Sequence, residues 1–328
     1  MTNATPHDRP GTAIVFALLG MSAISVNDTI IKYLSSGYPL HQIVFTRSVI
    51  AIMLTLILVQ MEGGFTILRT SRPVLHVVRG LMIVTANMCF FTAVSVLTLA
   101  ETTAIFFTSP LLITLLSIPF LGEKVGPYRI GAVIVGFIGV IIVSRPWASG
   151  AERDAPFALY MLPFIGAFAY AVTQLLTRKL GVSSRASALA VYLQIMFIIV
   201  SSGFWLAAGD GRFALGQQSE ALIFLLRAWT WPETADLWRF ALMGCVTAVV
   251  GYSMSQAYRL SSSATVAPFE YVGLPLAIFW GWIVFSDLPG ATALLGIALI
   301  LASGLFVFLR ERQLKRSVAR GLRAGKPG

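Results

Sequence analysis

Arg79 and Glu270 are ionisable residues set inside long apolar runs, each about seven residues in. A charge at that depth of a bilayer costs several kcal/mol unless it is paired, hydrated or turned toward a cavity. If the two runs enter from the same side, the side chains share a depth. They could then meet as a salt bridge or water-linked pair, either lining a solute cavity or only holding parts of the chain together. At helical spacing Arg79, Ile83, Asn87 and Phe90 fall on one face, and Tyr252, Gln256 and Arg259 on another. With the face carrying Glu270 and Tyr271 they would enclose a space with apolar walls and a few polar anchors, the usual make-up of a small-molecule site. The candidate binding residues are therefore Arg79, Asn87, Tyr252, Gln256, Glu270 and Tyr271.

A second polar group comprises Asn27, Asp28 and Lys32 on one apolar run and Arg47 on the next. Asp28 and Lys32 stand at i, i+4 and are spaced to pair. Asp28 is thus either neutralised structurally or a proton or counter-ion site. As a coupling residue Glu270 ranks above it. Glu270 follows Pro268 in a locally weakened helix, whereas Asp28 has a cation one turn away to keep it charged. His41, His76 and Glu101 fall near helix ends and read as interfacial.

No catalytic constellation accompanies these residues. The three histidines, at 7, 41 and 76, have no metal-ligand spacing, and no glycine-rich phosphate loop follows a strand. Neither a metal, a cofactor, an enzymatic activity nor ATP-driven pumping is expected. Cys89 and Cys245 both lie in apolar runs, so no disulfide is expected either.

The elements that must position these groups follow from composition. Of 328 residues 57% are hydrophobic and 12% charged, against about a quarter charged in soluble domains, and the mean hydropathy is +0.81. The chain reads as an all-α polytopic membrane protein. Segments of about 20 apolar residues span a bilayer core, and ten qualify: 12-34, 40-60, 73-96, 100-120, 128-145, 157-178, 186-208, 238-259, 264-285 and 290-309. The first is read as a retained helix, since no cleavage-type sequence follows it. The one long connection, 209-237, contains Ala221 to Leu226, too short to span, and then Trp229 and Trp231, which suggests an interfacial helix with an aromatic anchor.

Lys and Arg set the orientation. With a cytoplasmic N-terminus, sixteen fall inside and six outside, with Arg47 and Arg79 within helices. Both termini are expected in the cytoplasm of a bacterial inner (plasma) membrane. The net charge of +10 comes largely from the tail after Arg310, which serves orientation and anionic lipid; no nucleic-acid partner is expected.

The chain also echoes itself. At an offset of 165 residues Pro110 falls on Pro275, Gly131 on Gly296 and Gly139 on Gly304; Glu123 and Gly126 match Asp287 and Gly290 with a one-residue slip. Five helices per half is odd, so the halves would be inverted repeats, 12-145 and 157-309, between a short N-terminus and the basic tail 310-328. Inverted repeats place a site near the midplane and exchange two shapes about it. Pro110 and Pro275, related by the repeat, become candidate hinges, while Pro163 and Gly136 mark a further interruption and a close approach.

The run Leu99-Ala100-Glu101-Thr102-Thr103-Ala104 through Pro110, then Leu121-Gly122-Glu123, and Ala267-Pro268-Phe269-Glu270-Tyr271 in the second half resemble the EamA-type transporters of the drug/metabolite transporter superfamily. The resemblance implies ten helices in two inverted five-helix repeats, cytoplasmic termini and solute transport. Members move amino acids, purines, riboflavin, S-adenosylmethionine and other small metabolites, some inward and some outward. The function so implied is secondary transport of an amino-acid-like, vitamin or nucleoside-like metabolite by alternating access, with the substrate, the lipid bilayer and protons as partners. The other reading is a membrane-embedded enzyme or scaffold with a structural Arg79-Glu270 pair. The loop at 209-237 departs from the compact family pattern.

Overall fold

The computed structural model describes residues 9-121, 126-147, 155-180, 184-261 and 263-324, all of whose regular structure is helical. The expected turn at Leu121 to Lys124, with Glu123, lies outside the described residues beyond Leu121, as do His7 and Arg153. The helices are α1 (Pro10–Leu34), α2 (Leu40–Glu62), α3 (Pro73–Val94), α4 (Leu99–Phe106), α5 (Ser109–Leu121), α6 (Pro127–Ser144), α7 (Phe157–Leu180), α8 (Ala186–Ala208), α9 (Glu220–Leu226), α10 (Leu237–Leu260), α11 (Ser263–Glu270), α12 (Gly273–Phe285) and α13 (Ala291–Ala324). Among the described residues eight helical stretches are long and apolar enough to cross a membrane, whereas Ile130–Ser144 of α6 and Ala291–Phe306 of α13 are shorter. The chain is a polytopic all-α membrane protein.

Local chemistry explains several boundaries. Prolines open α1, α3 and α6, where a missing N–H costs nothing because the first turn has no intrahelical acceptor. Thr98 caps α4, its hydroxyl oxygen accepting from the Glu101 N–H at 3.1 Å and its hydroxyl donating to the Glu101 carboxylate at 3.0 Å. Glu101, expected at a solvated helix mouth, is only 5% exposed.

Two expected spans are each broken in the middle. The 100-120 run divides between α4 and α5 at Phe107 and Thr108, and the 264-285 run between α11 and α12 at Tyr271 and Val272. Neither proline kinks a continuous helix. Pro110 is the second residue of α5 and Pro275 the third of α12, so each helps restart a helix after the break. Pro163, by contrast, sits inside the unbroken α7.

α1 packs on α10, α3 on α7, α2 on α8 and α6 on α13. The last pair meets at Gly139 and Gly296: a Cβ on Gly296 would stand 2.6 Å from the Gly139 carbonyl oxygen and 2.6 Å from a methyl of Val143. Gly131, the repeat partner of Gly296, has open space around it instead. Gly296→Val should force α6 from α13 and cost about 1–3 kcal/mol, while Gly131→Ala should be neutral. Thermal unfolding in detergent checks this, and equal melting of the two variants would refute the close approach.

The 209-237 segment is tied to the turn between α1 and α2. Gln42 donates to the Thr230 carbonyl (2.6 Å) and accepts from the Thr230 N–H (3.2 Å), Tyr38 donates to Asp236 (2.8 Å), and Arg227 donates to the Ser36 carbonyl (2.5 Å). His41, expected to be interfacial, is buried, bonded to the Leu225 carbonyl at 3.1 Å and stacked between Phe204 and Trp229. Of the two expected tryptophan anchors, Trp229 packs inward against Phe45 and Trp205, and only Trp231, 91% exposed, faces out.

Candidate functional site

A cavity with about 1300 Å³ of empty space, part of it open to the surroundings, lies among helices of both halves of the chain. Asp28, Arg79, Asn87 and Glu270 line it; Tyr252, Gln256 and Tyr271 do not. The reason on α10 is rotation. That helix turns Thr247, Val250, Gly251, Met254 and Ser255 to the cavity, so the face carrying Tyr252 and Gln256 is directed elsewhere. The Tyr252 hydroxyl donates to Glu62 of α2 at 2.9 Å, and Gln256 accepts from Arg259 at 3.4 Å. Tyr271 is buried with its ring 5.5 Å from that of Phe107 and close against Gly304.

Arg79 and Glu270 line the same space yet do not form the expected pair. Arg79 donates from Nε to the Thr177 hydroxyl (2.7 Å) and from Nη1 to the Leu189 carbonyl (3.0 Å). Glu270 accepts from the Tyr170 hydroxyl (3.4 Å to each carboxylate oxygen) and, more closely, from that of Tyr258. Equal depth constrains one coordinate only. α7 lies against α3 and supplies the Thr177 hydroxyl to one charge and the Tyr170 phenol to the other, while α8 supplies the Leu189 carbonyl. Both side chains are 2% exposed.

The second polar group also takes different partners from those its spacing suggests. Lys32 turns away from Asp28, donates to the Leu97 carbonyl (2.9 Å) and stands 3.6 Å from Asp287. Asp28 accepts from Asn27 (3.1 Å) and sits in the field of Arg47. Arg47, 3% exposed, donates to Asn27 (3.1 Å) and Asn87 (2.6 Å), with its guanidinium 5.4 Å from the Phe91 ring centre and 5.3 Å from that of Phe197. Thr247 donates to the same Asn27 oxygen at 3.2 Å. The site thus holds a buried charge cluster against α1, α2, α3 and α10 and a separate carboxylate held by two tyrosines.

Sequence reasoning missed Tyr170, Thr173, Gln174 and Thr177, all of which face the cavity from α7. Their signal was present: polar or hydroxyl side chains at i, i+3, i+4 and i+7 in an otherwise apolar helix mark one face. Tyr258, beside Arg259 and two residues from Gln256, and Gln194, in an apolar run, gave no such signal. His76, expected to be interfacial, is buried with its ring 4.2 Å from that of Tyr192. Among the described residues no group of three His, Cys, Asp or Glu side chains could hold a metal ion.

Comparison with known proteins bears on what such a cavity serves. Residues 11–145 match the EamA-like transporter family. A riboflavin transporter from Rhizobium johnstonii is 29% identical over 315 residues, covering 94% of this chain and 96% of the relative. An S-adenosylmethionine uptake transporter from Rickettsia conorii is 24% identical over 302 residues, covering 92% and 94%. The first part of the chain thus matches an EamA-like transporter domain, and over nearly its whole length the chain is similar to proteins named as transporters and not as enzymes. A crystal structure with a TM-score of 0.61, covering 93% of this chain and 96% of the other at 17% identity, shares its fold.

The cavity lies between two clasps that join the halves. At one end Glu62 of α2 accepts from Ser187 of α8 (2.7 Å) and from Tyr252 of α10 (2.9 Å). At the other, Lys32 of α1 meets Asp287 just after α12 and lies 5.2 Å from the Phe285 ring centre. Because α1 and α2 are antiparallel neighbours in sequence, joined by five residues, Lys32 and Glu62 stand at opposite ends of the bundle.

Proposed function

We propose that this multi-pass transporter carries a small organic metabolite, amino-acid-like, vitamin-like or nucleoside-like, across the plasma membrane by alternating access. The observation that carries the reading is a cavity walled by both halves, with buried charges inside and a clasp at either end. Ten spans in two inverted five-helix repeats, 12-145 and 157-309, are supported by the pattern of neighbours. α1 packs on α10 as α7 packs on α3, and the pairs α2 with α8 and α6 with α13 each join equivalent helices, which is how contacts repeat under exchange of two five-helix halves. The paired breaks after Phe106 and Glu270 support hinges at the segments opened by Pro110 and Pro275. Arg79, Asn87 and Glu270 are the substrate-facing candidates, and Tyr252, Gln256 and Tyr271 enter only if the halves rearrange. Protons couple through Glu270, with Asp28 second. The riboflavin and S-adenosylmethionine transported by the relatives support a vitamin or nucleoside-like cargo.

Uptake by purified protein in liposomes tests this. Saturable accumulation of riboflavin, S-adenosylmethionine or an amino acid is expected, and an imposed pH gradient should change its extent. A panel of such metabolites of which none moves would sink the transport assignment; movement indifferent to the gradient would remove proton coupling alone. For orientation, with termini cytoplasmic and 209-237 external, a cysteine placed at Ser219 should react with impermeant label from outside intact cells. Label reaching it only in inverted vesicles would reverse the topology.

A further inference from the structure

Arg79 is a guanidinium without a counter-ion. Among the described residues no carboxylate pairs with it: Nε and Nη1 go to a hydroxyl and a carbonyl, and Nη2 has no protein acceptor. Arg47, equally buried, also has one nitrogen, Nε, without a partner, but two amide oxygens take its terminal nitrogens and the field of Asp28 and two ring faces surround it. A guanidinium does not shed its charge, and a buried charge with neutral acceptors alone is held at a cost of several kcal/mol. That cost falls once an oxyanion approaches, because carboxylate and phosphate match the planar fork of donors. The cavity supplies two further features. Gln194, 2% exposed and on the cavity wall, has its side-chain oxygen unpartnered, an acceptor for an N–H or O–H of the solute and not for its oxyanion. It lies five residues along α8 from Leu189, the carbonyl that Arg79 holds, or about 7.5 Å along the helix axis. An aromatic wall runs from Phe90 to Phe106 (5.1 Å between ring centres) and on to Tyr170 (5.3 Å), a surface that takes a planar ring.

We propose that the transported solute carries an oxyanion, carboxylate or phosphate, that docks on Arg79, and a planar ring that packs on the wall of Phe90 and Phe106. This rests on the transport reading above and narrows its substrate class. The other charges of the cavity do not compete for the oxyanion. Glu270 repels it, and Arg47, with both terminal nitrogens engaged, has only its buried Nε left to offer, a single donor in place of a fork. The anion brings to Arg79 the counter-charge the fold withholds, so solute and protein enter the low-dielectric site as a neutral pair.

The test uses full-length protein, in detergent for thermal shift and in liposomes for uptake, with matched probes: aromatic carboxylic acids and their amides, nucleoside monophosphates and the parent nucleosides. A ligand that binds the folded state raises its melting temperature. At least one acid is expected to bind roughly tenfold more tightly than its neutral counterpart and to be taken up, the preference expected of charge-assisted bonds. Arg79→Lys should keep part of that preference, and Arg79→Gln should lose it. The carboxylate and phosphate arms tell which oxyanion is used. Neutral probes that bind as well as their acids, or an Arg79→Gln protein that keeps the preference, would overturn the proposal. If Arg79→Gln does not fold, the wild-type ratio and Arg79→Lys decide. Uptake of neutral probes alone overturns the docking role and leaves transport standing; uptake of no probe overturns both.

Discussion

Glu270→Gln should abolish gradient-driven accumulation while leaving the protein folded. Glutamine has the shape of the side chain it replaces, and its amide oxygen can still accept from Tyr258 and Tyr170, the donors now on Glu270. The charge is what disappears. Hydrogen bonds to a charged acceptor contribute about 1.5–3 kcal/mol against about 1 for neutral ones. Losing that difference at two phenols gives about 1–4 kcal/mol, or roughly 5- to 1000-fold in any step that depends on the ionised form. Tyr258→Phe should hurt more than Tyr170→Phe, because Tyr258 makes the closer contact and Tyr170 stands 3.4 Å away. Transport measured against an imposed pH gradient decides the role. Gradient dependence that survives in Glu270→Gln but vanishes in Asp28→Asn would transfer the coupling role to Asp28.

Arg47→Met should cost more in stability than any other single change in the cavity, about 3–5 kcal/mol. That is the range for removing one partner of a buried charge cluster and leaving the other behind. Methionine fills much of the space between Phe91 and Phe197, so cavity formation is a small part of the loss. The larger part is Asp28 left in the membrane interior without its cation, and the side-chain oxygens of Asn27 and Asn87 left without the Arg47 donors. Arg47→Lys should be milder but not neutral, since one ammonium cannot reach two amides and lie between two rings. Combining Arg47→Met with Asp28→Asn should recover part of the loss, because the stranded charge goes with its partner. Thermal unfolding of detergent-purified single and double variants measures the coupling; strictly additive losses would show that Asp28 and Arg47 do not share one electrostatic cluster.

The sequence by itself determined the quantities that depend on a residue and its near neighbours in the chain. Hydropathy over a window of about 20 residues located the apolar helices, since every backbone polar group in lipid must be satisfied within its own segment. The scarcity of charge singled out Asp28, Arg47, Arg79 and Glu270, all of which line the cavity. Helical periodicity grouped Arg79, Ile83 and Asn87 on a face that the cavity shares. What periodicity does not contain is the direction in which a face points. Successive residues turn about 100° around a helix, so small differences in rotation sent Thr247 and Gly251 to the cavity and Tyr252 to Glu62. Partner choice failed for the same reason. Arg47 does come within reach of Asn27 and Asp28, as two successive helices allow. Asp28 and Lys32 are adjacent on α1, and Arg79 and Glu270 match in depth, but tertiary packing brought Asp287 to Lys32, Thr177 to Arg79 and two tyrosines to Glu270. Those contacts join helices far apart in sequence. Only the crossing of whole helices, decided by close approaches such as Gly139 against Gly296, sets which of several polar groups at one depth a buried charge will meet.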